Sequence, residues 1–339
     1  MGYPSALLKT SMDKSIPLIH PYVVADQGEV HHLPRYKRYP RLGLLLQAEA
    51  DTDPDDLHIV TNLFSRAALN MKNKLEFVEL ITRPVDELAQ IISAPAPKRG
   101  LPFDKNLGPT TGQSITPPQR LTFFNGSPRG AKGGTELMVS HFIRGFESLP
   151  GRTAQVYHLN RIHDREIFQA AYGEAESVLL GFPLYVDAMP GQVKAFIESL
   201  EVYRERPNNP PMAFLVQSGF PEALHSRYVE RYLEKLAARM GAPYAGTLLR
   251  GGVEGILHAP EKVTAPLFET LYQLGRGFAE KGVLDPARLR ALVMIEKFPW
   301  YAIPVFKVLQ WTGLVNSGFD QMLKANGVYE QRYTRPYTQ

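Results

Sequence analysis

From Arg120 onward the chain alternates between short apolar runs and longer stretches whose apolar residues recur every three or four positions. The runs 121–125, 154–159, 177–182, 213–217 and 244–249 predict five strands. Between them, 135–149, 164–172, 190–204 and 222–240 predict amphipathic helices, and 260–281 supplies another after the fifth strand. Strands that are apolar right through need cover on both faces. That is the condition of a parallel sheet between two helical layers. The pattern therefore predicts an α/β fold, a doubly wound five-stranded parallel sheet, with ligands beyond the C-terminal strand ends.

Before residue 120 the pattern is less regular. Residues 1–40 show no sustained period and predict an arm lying on the surface. Leu42 to Gln47 predicts a strand. Asp53-Pro54-Asp55-Asp56 then gives an N-cap, a proline at the first helical position and early acids, and so predicts a helix to about Lys72. A second strand over 76–82 and a helix over 84–92 complete a β-α-β-α appendage within residues 1–92, small for an independent core. Six prolines within 93–119 predict an extended linker. The predicted organisation is thus arm and appendage (1–92), linker (93–119), α/β domain (120–282) and C-terminal helical extension (283–339).

In that extension, helices are predicted over 286–297 and from about Pro304. Residues 299–315 carry Trp300, Tyr301, Phe306 and Trp311. Such a segment has the aromatic content of an interfacial membrane helix. Its polar face holds Lys307 alone, which favours a helix packed over the domain or on a homodimer partner.

Composition narrows the chemistry. Of 339 residues, 44% are hydrophobic and 21% charged, and none is cysteine. Disulfides, thiolate metal sites, iron–sulfur clusters and cysteine nucleophiles are excluded. The first dozen residues lack an apolar core and a cleavage signal, and Ala6 stands where a myristoylation motif needs Ser or Thr. No apolar run reaches the length of a membrane span. The expectation is a mature cytoplasmic protein without a transmembrane segment. Net charge is +4. The basic and aromatic run over 35–41 has no accompanying nucleic-acid motif, so it reads as a solvated segment and no nucleic-acid partner is expected. His20, His31, His32, His158 and His163 fall in no metal-ligand spacing, and no metal site is expected. The absence of G-x-S-x-G disfavours a hydrolase.

The chemistry-bearing loops follow the predicted strands. Residues 125–135 read NGSPRGAKGGT, between an apolar strand and a helix start. Glycines let backbone N–H groups converge, Ser127 and Thr135 add hydroxyls, and Arg129 adds a guanidinium. The positive end of the helix dipole lies there too, as a phosphate site requires. The order is neither that of a P-loop nor G-x-G-x-x-G. A plain strand-to-helix turn is the alternative. The third strand ends in GFPLYVDAMPGQVKAFIESL (181–200), the fourth in QSGFPEA (217–223) and the fifth in RGGVEG (250–255). Tyr185 and Phe220 put aromatic faces beside backbone-lined turns. A phosphate pocket next to a flat apolar slot suits flavin mononucleotide (FMN).

The motif NGSPRGAKGGT (125–135) followed by LLGFPLYVDAMPGQVKAFIESL (179–200) resembles those of the NAD(P)H-dependent FMN reductases and related flavodoxin-like oxidoreductases, over about residues 120–255. The resemblance implies that Ser127, Arg129 and Thr135 hold the FMN phosphate. It implies that Pro183, Leu184, Tyr185, Val186 and Asp187 line the isoalloxazine ring. Gly219 and Phe220 would flank the ring or the ribityl chain. It further implies NADH or NADPH as hydride donor and a small-molecule electron acceptor such as a quinone, nitro or azo compound. No catalytic side chain is assigned, because the flavin carries the chemistry. A flavodoxin-like electron carrier, or a non-catalytic flavin-binding or interaction protein, is the alternative. The iron–sulfur branch of these flavoproteins places cysteines where this chain has Asn160 to Arg165, so cluster-mediated transfer is excluded.

Overall fold

The computed structural model describes residues 3–26, 29–82, 84–93, 108–204 and 206–337. In chain order the first elements are α1 (Ala6–Asp13), β1 (Ile19–Asp26), β2 (Glu29–Pro34), β3 (Leu42–Leu46), α2 (Pro54–Asn70), β4 (Leu75–Leu80) and α3 (Val85–Ser93). Then come β5 (Arg120–Asn125), α4 (Gly134–Phe146), β6 (Thr153–His158), α5 (Arg165–Gly173), β7 (Val178–Pro183), α6 (Gly191–Ser199), β8 (Met212–Gln217), α7 (Leu224–Arg239), β9 (Tyr244–Arg250) and α8 (Glu261–Lys281). The chain closes with α9 (Pro286–Leu292), α10 (Ala302–Trp311) and α11 (Ser317–Ala325). Its contacts divide it into two compact units. One comprises Met1–Tyr3, Lys14–Asn106 and Lys297–Gln339, the other Pro4–Asp13 and Leu107–Glu296.

The larger unit is built on a five-stranded sheet in the order β6-β5-β7-β8-β9. Every neighbouring pair is parallel. Numbered within this unit the order is 2-1-3-4-5, the flavodoxin-like doubly wound arrangement, with its switch point between β5 and β7. The strands are buried on both faces, as their unbroken apolar sequences require. Phe123, Leu179, Ala213, Leu215 and Leu248 pack with Met138, Phe142, Leu271 and Phe278 of α4 and α8 in one cluster. On the opposite face Phe124 meets Phe196 of α6, ring centroids 4.5 Å apart. Helices α4 and α8 cross at Gly145 and Gly275, where a Cβ would overlap the carbonyl oxygens of Tyr272 and Phe142.

Part of the expected linker, residues 94–107, lies outside the described residues. Residues 108–119 contain no helix or strand. Gln113 donates its N–H to the Tyr244 carbonyl (2.7 Å), and Gly112 packs against the backbone of Ala245. This segment therefore lies along the edge of β9.

The expectation of an irregular arm over residues 1–40 is corrected by α1 and by the antiparallel pair β1–β2. Helix α1 belongs to the larger unit and packs on α6. Its buried residue is Lys9, while Leu7 and Leu8 are exposed. The side it buries is polar, so no apolar period marks it. Pro21 interrupts the β1 sequence, which hides that strand.

In the smaller unit, β3 and β4 pair in parallel around α2, whose N-cap Asp53 and Asp56 form a capping box. Arg66 of α2 is buried and bonds Glu29 of β2 at 2.9 Å. The side chain of Asn316 accepts the N–H of Val23 (2.9 Å), and Tyr22 donates its hydroxyl to Asp320 of α11. Helix α10 has no buried residue. One side of it, with Ala302, Ile303, Phe306 and Gln310 half-buried, packs beside β1. No described helix is long and apolar enough to cross a membrane.

Candidate functional site

At the switch point, Asn125 ends β5 fully buried. Its Oδ1 accepts the N–H of Ser127 (2.8 Å), and its Nδ2 donates to the Gly130 carbonyl (3.3 Å) and to Glu136 Oε2 (2.8 Å). One amide side chain thus shapes the whole turn. Gly126 donates its N–H to the Gly181 carbonyl at 2.7 Å and accepts from Gln192 Nε2 at 3.1 Å, which ties the loop to β7 and α6. Gly130 sits at φ +53°, a left-handed conformation that favours glycine.

The folded loop leaves donors available. Gly133 caps α4 with no side-chain hydrogen bond. Among the described residues, the N–H groups of Gly134, Thr135 and Glu136 meet no protein acceptor, the usual state of a first helical turn. Arg129 and Lys132 are exposed, with no carboxylate partner among the described residues. Ser127 Oγ accepts the N–H of Arg129 (3.3 Å), and its own proton is left to donate. Thr135 is completely buried, and its hydroxyl accepts from Gln217 Nε2 (3.4 Å). Its backbone N–H and its hydroxyl proton are both left for an anion.

The loop after β7 forms the neighbouring wall. Tyr185 and Ala188 exchange backbone hydrogen bonds of 2.8 and 3.1 Å. The residues between them, Val186 and Asp187, have φ +49° and +53°. This is a two-residue type I′ hairpin turn. A β-branched residue in the left-handed region is strained, so the surroundings must hold it. Those surroundings are buried and polar. Asp187 Oδ1 lies 3.4 Å from His225 Nδ1, and His225 Nε2 lies 3.5 Å from Glu222 Oε2, all three side chains buried. Lys9 of α1, fully buried, pairs with Asp13. Burial pushes the Lys9 ammonium below its usual pKa, while Asp13 and Asp187 act against that shift. Asp13 Oδ2 in turn accepts the N–H of Gly191 (2.8 Å) at the start of α6.

Tyr185 is half-buried. Burial raises the pKa of its hydroxyl; the charge of Arg129 opposes this, and those of Glu254 and Asp13 add to it. Three charges from three other segments thus act on the Tyr185 hydroxyl at the strand ends. Leu184 donates its N–H to the Gln217 carbonyl at 2.8 Å, joining Pro183–Leu184 to the end of β8. There, Ser218 and Phe220 are pinned to Arg250, Gly252 and Val253 by backbone bonds of 2.9 to 3.1 Å. Gly219 is exposed beside Glu254, and the Phe220 ring packs on His225 at 4.7 Å. Arg250 gives Nη1 to the Leu292 carbonyl at the end of α9 (3.0 Å).

The structure therefore gathers Ser127, Arg129 and the Thr135 N–H around one loop, with Pro183 to Asp187 beside it. Sequence reasoning missed Asn125, Gln192, Glu222, His225 and Asp13. Asn125 had a local signal, an amide two residues before Ser127. The Asp187–His225 pair had none, because 38 positions of chain separate its members.

No family model matches the chain, and no curated protein does. Solved structures do. An FMN-dependent NADH-azoreductase from Bacillus anthracis, in complex with FMN, is 12% identical over 47% of this chain and 99% of its own, with TM-score 0.39. An NAD(P)H:quinone oxidoreductase from Methanothermobacter marburgensis is 14% identical over 47% and 95%, with TM-score 0.37. An oxidoreductase from Corynebacterium diphtheriae is 14% identical over 52% and 98%, also with TM-score 0.37.

Proposed function

We infer that the larger unit is an FMN-dependent NAD(P)H oxidoreductase acting on a quinone, nitro, azo or similar small-molecule acceptor. One observation carries this reading. Three N–H groups at the start of α4, free among the described residues, stand with Ser127 and the exposed Arg129 beside an aromatic hairpin, at the switch point of a doubly wound sheet. Donors of that number and charge suit a phosphate dianion. The Gly134, Thr135 and Glu136 N–H groups, the Ser127 hydroxyl and the Arg129 guanidinium would hold it. Tyr185 and the backbone of 183–187 would lie along the ring, with Gly219 leaving room at its edge. Bound flavin would supply the redox chemistry, accepting hydride from NADH or NADPH and passing it to the acceptor. Lys132 adds positive potential that attracts an anionic nucleotide.

The test is spectroscopic and kinetic. Purified protein, or protein incubated with FMN, should absorb at about 450 nm and oxidise NADH or NADPH when a quinone is added. Colourless protein that fails to take up FMN overturns the assignment. Yellow protein that oxidises neither nucleotide replaces the enzyme with an electron carrier.

A further inference from the structure

Helix α10 is apolar on the side that meets solvent. Its inward side, Ala302, Ile303, Phe306 and Gln310, is half-buried. The opposite side should be polar in a helix of a water-soluble surface. Instead Tyr301, Val305, Val308 and Leu309 form one exposed stripe at positions i, i+4, i+7 and i+8. Trp300, Pro304 and Trp311 line the adjoining stripe, with the two indoles 81% and 87% exposed. Isolated exposed apolar residues need no explanation, but a contiguous patch rimmed by two tryptophans marks a surface that meets something other than water.

The charge around the patch says what. No Asp or Glu occurs from Lys297 to Phe319, while Lys297 and Lys307 are exposed there. Over residues 297–339 there are five Lys or Arg against two Asp or Glu, and one of those acids, Asp320, is bonded to the Tyr22 hydroxyl. A two-fold copy of the chain would bring this positive margin against itself. An anionic partner complements it. Tryptophan and tyrosine at the ends of an apolar helix, with lysine beside them, also match the boundary between acyl chains and headgroups.

We propose that α10, with Trp300 and Tyr301, seats the protein on the surface of an anionic lipid bilayer. The helix lies in the plane of the interface. Its valines and leucine enter the acyl boundary, the indoles sit at headgroup depth, and Lys307 reaches the phosphates. This is surface attachment, independent of the flavin reading.

Trp300 and Trp311 are the two tryptophans of the chain, so tryptophan emission reads this face alone. The probe is a set of unilamellar vesicles of phosphatidylcholine, with and without phosphatidylglycerol. Full-length protein should float with the mixed vesicles and shift its emission to the blue, and brominated lipid should quench that emission. Val305→Ser with Val308→Ser should weaken binding by about tenfold or more. Lys307→Glu should weaken binding to the mixed vesicles. Absence of flotation with unchanged emission overturns the proposal. So does emission already blue-shifted without lipid in a protein that sediments as a dimer, since a second copy then covers the face.

Discussion

His225 Nδ1 lies 3.4 Å from Asp187 Oδ1, which ties the first turn of α7 to the left-handed hairpin after β7. The tie and the strain have opposite signs, so they can be separated. Val186→Gly relieves a β-branched residue at positive φ. It should leave stability unchanged or raise it by up to about 1 kcal/mol. His225→Ala, which leaves buried carboxylates with less compensation, should cost about 1–3 kcal/mol. Urea unfolding of both variants checks this. A Val186→Gly protein less stable than the parent would remove strain from the account of the turn.

Helices α4 and α8 touch at Gly145 and Gly275 with no space for a methyl group. Gly275→Ala must push the helices apart or distort one of them. The expected loss is about 3 kcal/mol, read as a lower midpoint of chemical denaturation. Gly277→Ala is the control, since nothing lies within 4 Å of its added Cβ.

Tyr172 is fully buried, and burial raises its hydroxyl pKa well above the ordinary value of 10.0, with Tyr203 acting in the same direction. The folded state thus holds this proton more tightly than the unfolded state does. The stability this gives is complete below pH 10 and is lost as pH rises from there towards the folded-state pKa. Among the described residues, the hydroxyl's one hydrogen bond is to Met212 Sδ at 3.7 Å. Tyr172→Phe should therefore change stability by less than about 1 kcal/mol at neutral pH and gain about 1 kcal/mol over the parent near pH 11. Thermal melts across that range test both halves.

Arg129→Ala combined with Ser127→Ala removes a guanidinium and a hydroxyl from one candidate phosphate site. FMN affinity should fall several-fold or more, since each contact contributes on the order of 1–3 kcal/mol. Calorimetric titration of flavin-free protein measures it. An unchanged dissociation constant would take the phosphate away from this loop.

The five strands of the larger unit were legible because each is apolar on both faces, and the observed strands begin and end within one or two residues of the predicted ones. The turn after Asn125 was legible because its glycines, serine and arginine are neighbours in sequence. Helix α1 was not, because it packs through Lys9, Thr10 and Asp13 and shows no apolar period. The Glu222–His225–Asp187 cluster exists only once the sheet order sets the end of β7 beside the start of α7. Helix α10 was legible as a helix, but apolar spacing records only that a surface avoids water, and it does not say what provides the cover.

The last strand of a sheet is a template on which a foreign strand can assemble, and in this chain that position belongs to β9. Gly112 and Gln113 lie along it, supplied by sequence that precedes the whole sheet. A ribosome therefore releases this selvedge long before the border it will bind exists. Until Tyr244 emerges, the growing sheet has a bare rim, and misassembly between nascent chains is most exposed in that interval.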